Sequence, residues 1–236
     1  MIAAGLLLLA VGTADLLRQM IRTRRWLAFS VAAVLLVVVS AGLDAVVAGL
    51  LAVAVAAIWT WVVPESGPAR AGLWPVALLA LAAAACVVVA PGRARPGILG
   101  EAWASYRPAD AVSADVVVLV IGCVVFLLES GNAVVRTALR SEMGTRETPD
   151  ETAAPTLKGG RLIGPLERIL VFVLTLAGAY TLIAAVLAAK GIVRFPEISR
   201  DGDGGDRAEY FLIGSLVSWV TALAAAFLVS WGISPG

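Results

Sequence analysis

Apolar residues run along this chain in long uninterrupted stretches, and polar residues fall between those stretches or at one edge of them. From Val116 to Val135, bounded by Asp115 and Arg136, twenty residues would rise about 30 Å as a helix, roughly the thickness of a bilayer's hydrocarbon core. The first thirteen carry no polar side chain except the thiol of Cys123. Glu129 then interrupts, with Asn132 three positions on and Arg136 four beyond that. On one continuous helix these three share a face, so the pattern predicts an apolar rod with a polar stripe toward one end.

Six further helices follow from the same reading. The first runs from Ile2 to about Leu17, extending toward Met20, with Asp15 near its exit. The next spans Trp26 to Leu43 and ends in a tight turn at Asp44. A third runs from Ala45 to Val63 and is stopped by Pro64, Gly67 and Pro68. The fourth covers Leu73 to Ala90, with Pro75 in its first turn, where a missing amide proton costs least. After the stripe-bearing fifth come Ile169 to Ala189 and Tyr210 to Ile233. Trp26 and Trp74 at helix starts, with Trp59, Trp61 and Trp231 near helix ends, resemble an interfacial aromatic belt. The expected fold is therefore all-α: a polytopic integral membrane protein of about seven transmembrane helices. Residues 1–111 form a front half, and residues 112–236 a back half with a polar loop at 136–168. The middle of that loop, GTRETPDETAAPT, has the composition of a flexible linker. Residues 91–115 read as a mixed loop.

Composition agrees with the pattern. Sixty per cent apolar residues and a mean hydropathy of +0.93 exceed what a soluble domain carries, about 45–50% apolar. The N-terminal stretch lacks a basic leader and reads as a retained helix rather than a signal peptide. Seven helices place the termini on opposite sides. With the arginine-rich loop at 18–25 inside, eleven basic residues lie inside against seven outside, which favours N-out/C-in in the cell's inner (plasma) membrane.

Histidine is absent, which removes the usual general base and the commonest metal ligand. Cys86 and Cys123 both fall within apolar helices and read as small buried hydrophobes. No cofactor, metal or nucleic-acid partner is expected, and no catalytic residue is assigned. Three polar constellations remain as candidate binding residues. Glu129, Asn132 and Arg136 either anchor an anionic or proton-coupled site or pin one helix to another, since an idle carboxylate in lipid is costly. In GGRLIGPLER, Arg161, Glu167 and Arg168 stand where free helix-start amides and arginine forks would suit a phosphate. Lys190 and Arg194, one turn apart beyond the sixth helix, form with Glu209 a cationic patch suited to headgroups. DGDGGD, at 201–206, does not keep the spacing of a calcium loop and reads as a solvated turn. Gly214 and Ser218 give the last helix a small-xxx-small pattern suited to close packing.

The back half resembles a known family. GRLIGPLER, AAKGIVRF and EYFLIGS, from Gly160 to Ser215, are similar to the GRxIGxLER, AAKSIxRF and EYFLIGT segments of the C-terminal membrane region of the DUF3307 family of uncharacterised bacterial proteins. This chain has Gly191 where that family commonly has serine, and Ser215 where it has threonine. The family's front half carries histidine- and aspartate-bearing helices that this chain does not match. The resemblance implies a bacterial membrane protein but no assigned activity.

Three functions fit these residues. The first is a membrane protein that binds or transports an anionic solute or phospholipid headgroup. The second is a non-catalytic structural subunit with a membrane or soluble protein partner. The third is a membrane enzyme acting on a lipid or polyprenyl phosphate. The first requires its cations to converge, yet seven crossings set Lys190 and Arg194 opposite the others.

Overall fold

The computed structural model describes residues 1–21, 25–63, 72–89, 97–106, 112–143, 160–198 and 206–233. Ten helices account for nearly all of them, and no strand occurs among the described residues. They are α1 (Ile2–Met20), α2 (Arg25–Gly42), α3 (Val46–Val62), α4 (Trp74–Val89), α5 (Gly97–Tyr106), α6 (Ala114–Leu128), α7 (Ser130–Met143), α8 (Gly160–Leu176), α9 (Tyr180–Ile198) and α10 (Asp206–Ile233). The first four lie within a residue or so of the helices expected from the sequence, α1 taking the longer option to Met20. Asp44 makes the tight turn between α2 and α3 in the left-handed region, at φ 54°. A short helix, α5, occupies part of the expected loop at 91–115, with the Trp103 indole N–H donating to the Val112 carbonyl. Pro64, Gly67, Pro68, the 144–156 linker and residues 201–205 lie outside the described residues.

α1 and α6 run parallel in backbone contact at the centre. A Cβ on Gly5 would stand 2.7 Å from the Leu119 amide nitrogen, one on Gly12 2.7 Å from that of Phe126, and one on Gly122 2.4 Å from the Gly5 carbonyl. Only glycine permits that approach, the geometry of small-residue helix pairs in membranes. The close packing expected at Gly214 is thus found elsewhere: a Cβ there would meet Val135 and Leu139 at ordinary distances of 3.8 and 3.9 Å. The core joins Leu6, Val11, Leu119, Leu127, Phe172 and Ala226, so front and back halves share it.

Two expected helices are each two. The stripe-bearing rod breaks at Glu129, where α6 and α7 meet at a 49° bend. The segment expected at 169–189 folds back at Gly178. There the Ala179 amide donates to the Leu174 carbonyl at 2.9 Å and the Gly178 amide to Thr175 at 3.0 Å, with Gly178 at φ 68°. That pairing is the Schellman ending, which wants a glycine in the left-handed region. α9 returns along α8, so that Lys190 meets Glu167, 23 residues earlier. Glu167 stands about 15 Å from the turn, only half a bilayer core.

This hairpin changes the path of the chain. Gln19, Glu129, Glu167 and Lys190 lie at one end of the bundle, Gln19 bonded to Glu129 and Lys190 to Glu167. At the other end Met1 lies against Gly232, and its ammonium donates to the Cys86 carbonyl at 3.5 Å. The termini of the described helices therefore lie at the same end, not at opposite ends as seven crossings require. Among the described residues, two helices, α1 and α10, are long and apolar enough to cross a membrane, and a third if α6 and α7 count as one bent span.

Candidate functional site

Breaking a helix frees carbonyls at one stump and amides at the next. At the α6–α7 break, charged side chains from other helices take a freed carbonyl of α6 and the Ser130 hydroxyl that opens α7. Arg168 of α8, 2% exposed, donates from Nε to the Leu127 carbonyl at 2.9 Å, a group that an unbroken helix would give to Gly131. Its Nη2 donates to Asn132 Oδ1 at 2.5 Å and its Nη1 to Ser218 Oγ at 3.4 Å. A cation thus sits at the carbonyl end of α6, where the helix dipole favours it. Gly131 is what admits it, since a Cβ there would lie 2.6 Å from Arg168 Nε.

Acids stand on the amide side. The Glu129 carbonyl accepts from the Asn132 amide at 2.9 Å, so this residue both closes α6 and opens α7. Its carboxylate accepts from Gln19 Nε2 at 2.7 Å and Asn132 Nδ2 at 3.5 Å. Asp15 of α1, 4% exposed, takes three partners: Arg18 in a short ion pair, Trp59 Nε1 at 3.0 Å and Ser130 Oγ at 2.6 Å. Arg18 also donates to the Thr60 and Val63 carbonyls at 3.1 and 3.2 Å, covering the end of α3. A third group lies beside these. Glu167 accepts from Lys190 at 2.6 and 2.8 Å and from Trp219 Nε1 at 2.7 Å, with the ammonium over the Phe211 and Trp219 rings.

Of the expected binding residues, Glu129, Asn132, Glu167, Arg168 and Lys190 come together, the hairpin having brought Lys190 to the end from which seven crossings excluded it. Arg136, one turn beyond Asn132, is half-buried, and its charge opposes that of Arg168 while Glu129 and Glu167 favour it. Glu209 is exposed on α10 and takes no part in these bonds. Arg161 and Arg194 lie in α8 and α9, and their side chains fall outside the described residues. α8 already begins at Gly160 rather than near Ile169, so Glu167 and Arg168 lie past its first turn, while Arg161 lies within it. Lys190 is not part of an outward patch beyond a helix end; it lies mid-helix in α9, bound to Glu167.

Sequence reasoning passed over Asp15, Arg18 and Ser130 as site residues and placed Trp59 in the outer belt. Trp59 is buried at 4% exposure, held inward by Asp15, whereas Trp26, Trp61, Trp74 and Trp231 are more than half exposed. The adjacent pair Ser130–Gly131 was the available signal for a break.

A separate cavity of about 960 Å³ opens between α1, α2 and α3. Near the Asp44 turn, α2 and α3 are tightly joined, with Ser40 against Gly49. Farther along they part, and Leu9, Thr13, Leu17, Leu36 and Ala57 face the space between. Among its described lining residues only Thr13, Ser30 and Thr60 carry polar side chains. Compared with known proteins, the chain matches no family model, no curated sequence and no solved structure.

Proposed function

We propose that this is a multi-pass protein of the bacterial inner membrane that binds a lipid in the chamber between α1, α2 and α3. What carries the reading is that chamber: apolar, and at the upper end of the ordinary range for ligand pockets, about 300–1,000 Å³. The placement in a bilayer is supported by an inverted distribution of polarity. Asp15, Glu129 and Arg168 are buried, while Val34, Leu35, Val38, Leu81, Val220 and Phe227 are each more than half exposed. In this reading α1, α2, α3, α4, bent α6–α7 and α10 cross, α8–α9 re-enters, and α5 lies on the surface. Three basic residues, Arg93, Arg95 and Arg107, then fall in the segment joining α4 to α6, and the other fifteen of the 18 belong to the opposite end. So marked a bias supports a cytoplasmic side for that end, with both termini of the described helices outside. The likeness of residues 160–215 to the DUF3307 family belongs to the same proposal.

A second reading, a structural subunit awaiting a protein partner, is favoured by the Arg168 network, whose bonds are filled within the chain. In the lipid reading that network is framework, and beside it Asp15 and Arg18 hold α1 to α3 at one edge of the chamber. The test is native mass spectrometry of detergent-purified protein against a Thr13→Phe/Ala57→Phe variant, which narrows the chamber from two of its walls. Retained lipid lost in the variant is the expected result; equal lipid on both would refute the chamber as the site.

A further inference from the structure

Resting on that reading, we infer that the chamber selects its lipid by acyl-chain length, its closed end stopping a chain drawn from one leaflet. The lining gives the depth. Leu9 to Ile21 on α1 and Leu27 to Val39 on α2 each line it over about 18 Å of helix, against about 15 Å for the hydrocarbon half-thickness of a leaflet. On α3 the lining begins at Val53. Asp15 bonds Trp59, and Leu9 and Val53 stand six residues back from them along α1 and α3, so these two lie level. Just beyond that level α2 and α3 close on each other. Ser40 is fully buried against Gly49, where a Cβ would stand 2.1 Å from Ser40 Oγ and 3.8 Å from the Leu36 carbonyl oxygen. The other end lies at Ile21 and Leu27, where α1 finishes and α2 starts. The chamber is thus about one leaflet deep, with Leu9, Leu36, Val39 and Val53 as its floor.

A floor at that depth makes length matter. In open bilayer a chain longer than its leaflet slips between the tails of the opposite one. Here it meets the floor, and must fold back or lift its headgroup out of the interface. A shorter chain leaves the floor bare, and each methyl-sized void lowers occupancy about fivefold. The walls offer little else to select by. Of the three hydroxyl side chains among the described lining residues, that of Thr60 already donates to the Ala57 carbonyl at 2.8 Å. Shape and filling are what remain.

The experiment uses the full chain in nanodiscs of mixed phosphatidylcholines that differ only in chain length, in equal amounts, with retained lipid identified by native mass spectrometry. Lipid that merely coats the protein comes off in the proportions of the mixture. Wild type should instead retain one length in excess, shorter chains falling by about fivefold for each methyl-sized void they leave. Val53→Phe raises the floor and should move the optimum to shorter chains; Val53→Ala lowers it and should move the optimum to longer ones. If Val53→Phe does not reconstitute, Val53→Ala decides alone. Retention in the proportions of the mixture, or an optimum that Val53→Ala does not lengthen, would overturn the inference while leaving the chamber as a lipid site. Absence of retained lipid in wild type, or equal retention by Thr13→Phe/Ala57→Phe, would overturn the chamber reading itself.

Discussion

Replacing Gly131 by alanine tests whether the buried arginine, rather than the local sequence, holds the α6–α7 break. A Cβ at this position would stand 2.6 Å from Arg168 Nε and 2.9 Å from its Cζ. Real side chains do not approach so closely, so the guanidinium must withdraw. It is buried and tied on three sides, and withdrawal breaks the bond from Nε to the Leu127 carbonyl. A hydrogen bond to a charged group contributes about 1.5–3 kcal/mol, and alanine returns up to about 1 kcal/mol of helix propensity. The net loss should be about 2 kcal/mol. Gly214→Ala is the control, a helical glycine in the same half whose added methyl meets Val135 and Leu139 at ordinary contact distances. It should be neutral or stabilising by up to about 1 kcal/mol. Thermal unfolding of both variants in one detergent, followed by tryptophan fluorescence, gives the comparison. If Gly131→Ala proves as stable as Gly214→Ala, Arg168 is not seated against the break and the account of the framework fails.

Three other outcomes follow from the same contacts. Ser130→Ala removes one donor from the buried Asp15 carboxylate and should cost about 1–3 kcal/mol, while Asp15→Ala, which strands Arg18, should cost about 3–5 kcal/mol by the same unfolding assay. Lys190→Met should lie at or below the low end of about 3–5 kcal/mol, since a quarter of that side chain is exposed, and Lys190→Met/Glu167→Gln should recover most of the loss; a double variant no better than the single would show that the pair is not its source. Topology reporters fused after residues 150 and 203 should both read as cytoplasmic, and one after Gly236 as external, whereas opposite readings at 150 and 203 would require α8 and α9 to cross as one helix.

Helix positions in the front half were legible because apolar run lengths and the breakers at Asp44 and Pro75 are local properties. The two errors in the back half have different causes, one distant and one local. Leu127, Leu128 and Val134 continue an apolar run through Glu129, and hydropathy has no term for an arginine arriving from residue 168 to take the Leu127 carbonyl. In Leu176–Ala177–Gly178–Ala179 the turn rests on one glycine at φ 68°, and an isolated glycine in an apolar run reads equally as helix interior. Once that turn is missed, Lys190 is assigned to the end of the bundle opposite Glu167, the residue it binds. Glu129, Asn132 and Arg168 stood out because charge among apolar neighbours is conspicuous; that they bond to one another is a property of packing. The chamber left no trace in the pattern, since Thr13, Ala32 and Ala57 look like any packed helix face.

The glycine contact between α1 and α6 also bears on how the chain is made. Gly5 and its neighbour Leu119 are over a hundred residues apart, so at about 5–20 residues per second on the order of ten seconds separate their synthesis. Throughout that interval α1 has no complete α6 to lie against, and Asp15 lacks Trp59 at first and Ser130 until after its end. What it does have is Arg18, three residues on along the same helix, so the nascent segment carries its own counter-ion into the membrane. A chain ended before α6 would leave its Gly5–Gly12 stripe without the helix that covers it.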